Sequence, residues 1–269
     1  MARADDTPIA DYAHMLNLEG RRYVVLGAGQ GIGRQAAHAL AVNGAQIVCV
    51  DMEKDKAEDV AHECGHEAIG WAGDISVRAN VERLFSDVGD HFGGRLDGFI
   101  DIVGRAQYAD IGELTDELWD WHFSQNLRHA WLAMQAATPL LEANGRGEMT
   151  FIASASGITS APRHPAYGAA KAGLMSLVRS AAVELGPKNI RVNAVAPGVV
   201  WTPRVSGYLG EKGKARNEAN APLRRVAYPS NIASVLLFLT SDLASYVTGQ
   251  VISVDGGVGA KFPFPMDGL

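Results

Sequence analysis

The amino-acid sequence predicts an α/β fold, a single parallel sheet wound in both directions with helices on both faces. Three observations lead there. Short apolar segments alternate with helical ones along the chain, the pattern of strands joined by right-handed crossovers. A glycine-rich turn lies between the first such strand and the first helix. The 269 residues, 47% of them apolar, suit one domain whose sheet is covered on both sides.

The first seventeen residues are polar and lack the apolar centre of a signal peptide, so 1–17 reads as an N-terminal extension. The first strand is Arg22 to Leu26, and the chain then runs Gly27-Ala28-Gly29-Gln30-Gly31-Ile32-Gly33. Gly27 permits a tight turn, Gly31 lets the backbone approach a pyrophosphate, and Gly33 lets the following helix, Arg34 to Val42, pack on the strand. Free amides at the start of that helix face the anion. A second strand, Gln46 to Val50, ends in Asp51, eighteen residues after Gly33. A Rossmann-type fold holds the adenosine ribose with an acid at that place. A 2′-phosphate there would meet a like charge, at a cost of about 1–4 kcal/mol. NAD is therefore the expected cofactor, with Arg34 the nearby cation that complicates the choice.

Downstream, Ser154, Tyr167 and Lys171 follow one another at intervals of thirteen and four. Tyr167 and Lys171 are one helical turn apart and share a face. An ammonium beside a phenol favours the phenolate, which makes a proton donor and acceptor usable near neutral pH. A hydroxyl such as that of Ser154 can hold a carbonyl or alcohol oxygen against it. Each residue alone has a bland reading: a capping serine, a packed tyrosine, a solvated lysine.

With these motifs the chain resembles the short-chain dehydrogenase/reductase family over residues 18–257. The family's Thr-Gly-x-x-x-Gly-x-Gly turn corresponds to Leu26–Gly33, with Leu26 in place of threonine. Its Asn-Ser-Tyr-Lys tetrad corresponds to Asn126, Ser154, Tyr167 and Lys171. The resemblance implies hydride exchange between nicotinamide and a secondary alcohol or ketone of cyclic, steroid-like or hydroxyacyl type, with Tyr167 as general acid and base. It also implies that Lys171 binds the nicotinamide ribose and that Asn126 secures a water beside it. Gln30, Ile32, Met52 and Gly104 join the cofactor contacts on the same grounds. Asp74-Ile75 matches the segment at the adenine edge, and Pro197-Gly198, Val200 and Thr202 match the segment that meets the carboxamide and phosphates. One departure stands out: Asp101-Ile102-Val103-Gly104 occupies the family's Asn-Asn-Ala-Gly position. Asp101 can still accept hydrogen bonds, but an acid cannot also donate as an amide does. That departure is the support for the alternative, a non-catalytic cofactor-binding protein of regulation or assembly.

Other function classes are disfavoured. A net charge of −6 gives no reason to expect nucleic-acid binding, and no apolar run reaches membrane-spanning length. Two cysteines, Cys49 in a strand and Cys64 near a helix end, do not make a disulfide framework. A cytoplasmic enzyme acting on a small molecule is the expectation, and the resemblance adds a homo-oligomer, a tetramer, with the small-residue helix after Tyr167 at a subunit contact. His62-Glu63-Cys64-Gly65-His66 spells the zinc-hydrolase pattern His-Glu-x-x-His, but Gly65 weakens the helix it needs and no metal is expected. Residues 201–226, the substrate loop and helix by resemblance, carry six basic residues against two acidic ones. Solvated helix faces explain most such runs, although this one can also steer an anionic substrate. Trp201, Tyr208 and Leu209 can line an apolar pocket instead. The tail 258–269 ends in the apolar Phe262-Pro263-Phe264-Pro265-Met266, which is expected to pack on a neighbouring subunit.

Overall fold

The computed structural model describes residues 7–65 and 67–261. Strands β1 (Arg22–Leu26), β2 (Gln46–Asp51), β3 (Ile69–Ala72), β4 (Gly98–Asp101), β5 (Gly147–Ile152), β6 (Ile190–Pro197) and β7 (Val251–Val254) make one sheet in the order β3-β2-β1-β4-β5-β6-β7. Every neighbouring pair is parallel. The helices are α1 (Gly31–Ala41), α2 (Lys54–Cys64), α3 (Arg78–His91), α4 (Asp116–Phe123), α5 (His129–Asn144), α6 (Pro165–Leu185), α7 (Pro203–Asn220) and α8 (Pro229–Thr240).

Alternation along the strands decides which helix covers which face. Val24, Leu26, Val48, Val50, Phe99 and Phe151 point into a core shared with α3, α5 and α6. Tyr23, Val25, Ile47, Cys49 and Ile100 point into the opposite core, under α1, α2 and α8. Phe99 meets Phe151 edge-on at 5.4 Å and Phe85 at 6.0 Å. Burying each such ring stabilises the fold by roughly 1.5–3 kcal/mol. Leu18 is the first buried residue of the described chain, and its amide bonds to Asn43 O.

The order of the sheet reverses between β1 and β4, whose ends Leu26 and Asp101 lie in register. A doubly wound sheet opens a crevice beyond the carboxyl ends of its strands at such a point. The glycine turn after β1, Asp101 at the end of β4 and Ser154 just past β5 all border it. Above it runs α7, whose helix is broken at Gly210 (φ 60°, ψ 179°). Among the described residues, no helix is long and apolar enough to cross a membrane. The apolar tail segment expected to pack on a neighbour lies outside the described residues.

Candidate active site

The turn after β1 and the helix start behind it have no room for a side chain at Gly29 or Gly33. A Cβ on Gly33 would lie 1.9 Å from Gly27 O, and one on Gly29 would lie 2.5 Å from Asp51 Oδ2. Gly27 and Gly31 adopt positive φ, 83° and 58°, which glycine tolerates without steric cost. Gln30 stands at the start of α1 without a side-chain cap, and Ile32 packs on the core beneath it. Asp51 Oδ2 accepts from Gly29 N at 3.1 Å, and Oδ1 accepts from Glu53 N at 3.1 Å, so the acid stands directly against the turn. A bare, amide-lined turn at a helix start beside a fixed carboxylate fits a dinucleotide. Thr202 closes the same corner: its methyl would lie 3.2 Å from a Cβ on Gly31, and its hydroxyl caps α7 by accepting from Val205 N. Val200 is buried beside it, Gly198 N donates to Val254 O, and Pro197 ends β6. Ile75 is buried, Asp74 Oδ1 accepts from Ser76 N, and Met52 is exposed.

Ser154, Tyr167 and Lys171 come together at the carboxyl end of β5. Ser154 caps a short 3₁₀ turn, accepting from Ser156 N at 3.1 Å. Burial raises the tyrosine's pKa, while a hydrogen bond with Ser154 and the charge of Arg204 oppose the rise. Lys171 is 1% exposed, and its Nζ donates to Ile152 O at 2.7 Å. Burial brings the ammonium down to about 8, against a smaller upward push from Asp101. Its Nζ lies 6.0 Å from the Tyr167 ring centre, and Arg204 is a further cation that pulls the phenol's pKa down.

Asn126 sits in a π-helical turn, Ser124–Arg128, between α4 and α5. Wide turns of this kind re-aim side chains and recur at functional sites. Its Nδ2 donates to Arg105 O (2.8 Å) and His122 O (2.9 Å), while Oδ1 accepts from Arg105 N (3.1 Å). Asn126 thereby pins the segment after β4 so that Gly104 lies over the lysine. A Cβ on Gly104 would fall 2.8 Å from Lys171 Nζ. Asp101 Oδ1 accepts from Val103 N at 2.9 Å and lies 3.3 Å from His129 Nε2, while Oδ2, 3.0 Å from the same nitrogen, is buried without a hydrogen bond. Ile102 packs on the apolar core.

Aromatic rings wall the cleft. Tyr108 stacks on His164 (4.5 Å) and on Tyr208 of α7 (4.6 Å), while His164 and His122 flank Tyr167 at 5.4 and 6.2 Å. Arg204 Nη1 donates to Gly104 O at 3.2 Å and bridges α7 to the same segment.

The family model described as enoyl-(acyl carrier protein) reductase matches residues 27–259. The chain belongs to the short-chain dehydrogenase/reductase family. A tropinone reductase homologue of Arabidopsis thaliana is 34% identical, the match covering 93% of this chain and 95% of that protein. The 3-oxoacyl-[acyl-carrier-protein] reductase of Thermotoga maritima is 32% identical over 90% of this chain and 99% of its own. A solved 7α-hydroxysteroid dehydrogenase, complexed with NADH and 7-oxo glycochenodeoxycholic acid, superposes with a TM-score of 0.88 at 29% identity. That match covers 91% of this chain and 96% of the other. The protein is thus an oxidoreductase with a dinucleotide-binding Rossmann fold.

For this short-chain dehydrogenase/reductase, the fold brings the four tetrad residues and the glycine turn to one crevice. Among the described residues, which leave out His66 of the zinc pattern, no group of three metal-binding side chains occurs. Glu63 instead pairs with Arg34 (2.7 Å) and His38 (2.9 Å). Sequence reasoning missed His129, His122, His164 and Tyr108 as parts of the site. His129 was within reach, because an acid buried at a strand end needs a donor, and residue 129 follows Asn126 by one helical turn.

Proposed function

We propose that the protein is an NAD-dependent dehydrogenase or reductase that exchanges a secondary alcohol and its ketone, with Tyr167 as general acid and base. The observation that carries this is the meeting of Ser154, Tyr167 and a buried Lys171 at the end of the strand next to the cofactor crevice, where the serine pulls the phenol's pKa down against burial. In ketone reduction Tyr167 gives its proton to the carbonyl oxygen; in alcohol oxidation it removes the hydroxyl proton. Ser154 donates to the same oxygen and stabilises charge on it. Lys171 and Asn126 keep the far side of the crevice polar and fixed. Gly27, Gly31, Gly33, Asp51, Val200 and Thr202 would hold NAD, which supplies hydride transfer when bound.

NAD is preferred to NADP because Asp51 faces the turn, while Arg34 is turned away into its pair with Glu63. The printed names of the relatives, a tropinone reductase homologue, an oxoacyl reductase and a hydroxysteroid dehydrogenase, support a cyclic, steroid-like or hydroxyacyl substrate. We prefer this reading to the non-catalytic alternative because Ser154, Tyr167 and Lys171 share the crevice and Asp101 Oδ1 has donors in Val103 N and His129. For assembly, we read the groove of Phe123, Leu127, Arg128, Trp131, Gly173 and Leu177, about 350 Å³, as the face where a second copy docks on α5 and α6 toward a tetramer.

The test is NADH formation, followed by absorbance, against cyclic, steroid and hydroxyacyl alcohols, with NAD and NADP in parallel. NAD-linked turnover that vanishes in Tyr167→Phe is the expected result. Binding of neither cofactor would sink the reading.

A further inference from the structure

From Ile102 to Asp110 the segment after β4 has no regular structure, so its shape depends on the side chains that hold it. Two buried ones do. Asn126 takes both backbone groups of Arg105, beside Gly104 and Lys171. Further along, His122 of α4, 1% exposed, places Nε2 3.1 Å from Gln107 O. A carbonyl only accepts, so Nε2 carries the ring proton and donates it. Nδ1 is buried without a partner, a place where an N–H would be costly. Burial lowers the pKa of this ring against the opposing pull of Gln107 O, which keeps it neutral with that one proton to give. Among the described residues, no other hydrogen bond holds the backbone of Ala106, Gln107 or Tyr108. Tyr108 is the wall of the cleft, stacked on His164 and on Tyr208. The His122 ring also meets Tyr167 edge-on at 6.2 Å, and its backbone oxygen accepts from Asn126 Nδ2 at 2.9 Å. One residue thus links the wall, the tyrosine and Asn126.

We propose that His122 is a positioning residue that, by donating to Gln107 O, fixes Tyr108 as the wall of the substrate cleft and so sets how tightly a cyclic alcohol or ketone is held. The inference rests on the dehydrogenase reading above for its kinetic arm. Without the donor, Ala106 to Tyr108 keep no hydrogen bond of their own, and the wall rests on ring stacking alone. Tyr208, the outer ring of that stack, is 57% exposed. The cofactor end of the segment is held separately. Asn126 uses the backbone oxygen of residue 122, which every substitution retains, and its grip on Arg105 does not involve the imidazole. A wall touches the ground state and the transition state alike, so loosening it raises KM for the alcohol and spares kcat.

Two substitutions in the full-length protein separate the donor from the ring. His122→Phe keeps a ring beside Tyr167 and removes the donor. His122→Gln removes the ring and keeps an N–H that reaches about as far as Nε2. Tryptic cleavage after Arg105, which is exposed at the start of the segment, gives a readout that needs no turnover. Losing one hydrogen bond should speed that cut about 3–10-fold in His122→Phe, because cleavage follows the population of the opened segment. In His122→Gln the rate should match that of the unmodified protein. KM for the cyclic alcohol of the panel above should rise about 3–10-fold in His122→Phe, with kcat and KM for NAD nearly unmoved, and should be restored in His122→Gln. The opposite pattern, a normal phenylalanine variant and an impaired glutamine variant, would overturn the proposal and leave His122 a ring packed on Tyr167. Cleavage and KM unchanged in both variants would overturn it as well. If His122→Phe does not fold, His122→Leu takes its place with the same expectation, and a faster cut in His122→Gln would be decisive against the proposal by itself. Absence of turnover in the unmodified protein would count against the dehydrogenase reading, while the cleavage rates would still judge His122.

Discussion

Two tyrosines, the buried Tyr23 and the half-buried Tyr167, sit at opposite ends of the same sheet, and their surroundings differ in sign. At the amino end, Tyr23 donates to Glu148, and its hydroxyl lies 3.2 Å from Thr240 O. Burial and the adjacent carboxyl hold that phenol well above its ordinary pKa, so it keeps its proton. At the carboxyl end, burial also raises Tyr167, but a serine hydroxyl and the Arg204 guanidinium pull the other way. No acid is its direct partner. The same side chain is thus a structural donor at one end and a proton-transfer group at the other. Residue type does not distinguish them; the charge within reach does.

The sharpest way to break this comparison is to remove each hydroxyl. Tyr167→Phe should lower kcat by about 10²–10⁴-fold, the usual value of a positioned acid or base, with cofactor binding retained. Tyr23→Phe should do the reverse. It strands Glu148 without its donor, costing roughly 1–3 kcal/mol of stability, and should leave kcat near that of the unmodified protein. Steady-state kinetics and denaturant melts on both variants make the test. Equal loss of activity in both would erase the distinction.

Smaller changes sharpen the picture at the carboxyl end. Ser154→Ala removes one donor to the reacting oxygen and should cost about 10²–10³ in kcat, leaving the melting temperature nearly unmoved. Gly104→Ala should cost less, about 10–100-fold. Its Cβ would enter the space 2.8 Å from Lys171 Nζ, and the lysine, buried and bonded to Ile152 O, has little room to retreat. An alanine variant with unchanged kcat would mean that the position of the ammonium is loose.

What was legible in the sequence follows from how local each signal is. The glycine turn, Asp51 and the Tyr167–Lys171 spacing are defined within a few residues or one helical turn, and the fold assembles them as those spacings require. Strand alternation was readable for the same reason. His129 and Asp101 are 28 positions apart and meet only because β4 lies under α5, so neither signals the other along the chain. The ring stack of His164, Tyr108 and Tyr208 draws on three separate segments. The influence of Lys171 on the phenol was read from spacing alone. A shared helical face does not fix a side chain's direction, and Lys171 Nζ reaches Ile152 O of β5.

The smallest expected effect concerns the amino end. Glu148 is fully buried, and desolvation raises its pKa to about 7, although Arg191, the Tyr23 hydrogen bond and two further arginines oppose the rise. Arg191 is the nearest cation, 3.9 Å from Oε2. Between its ordinary value of about 4.5 and about 7, the folded state therefore binds more protons than the unfolded chain. Stability contributed by this group is full below that window and falls as pH rises through it. Glu148→Gln carries no charge to desolvate and keeps an acceptor for Tyr23. Relative to the unmodified protein, it should gain roughly 1–3 kcal/mol between pH 4.5 and pH 8, seen as melting temperatures that shift in its favour as pH rises. Parallel pH–melting curves for Glu148→Gln and the unmodified protein would mean that the arginines already hold the acid ionised throughout the window. The two ends of the sheet would then be alike in carrying a stable buried carboxylate, and would differ only in what the nearby phenol does.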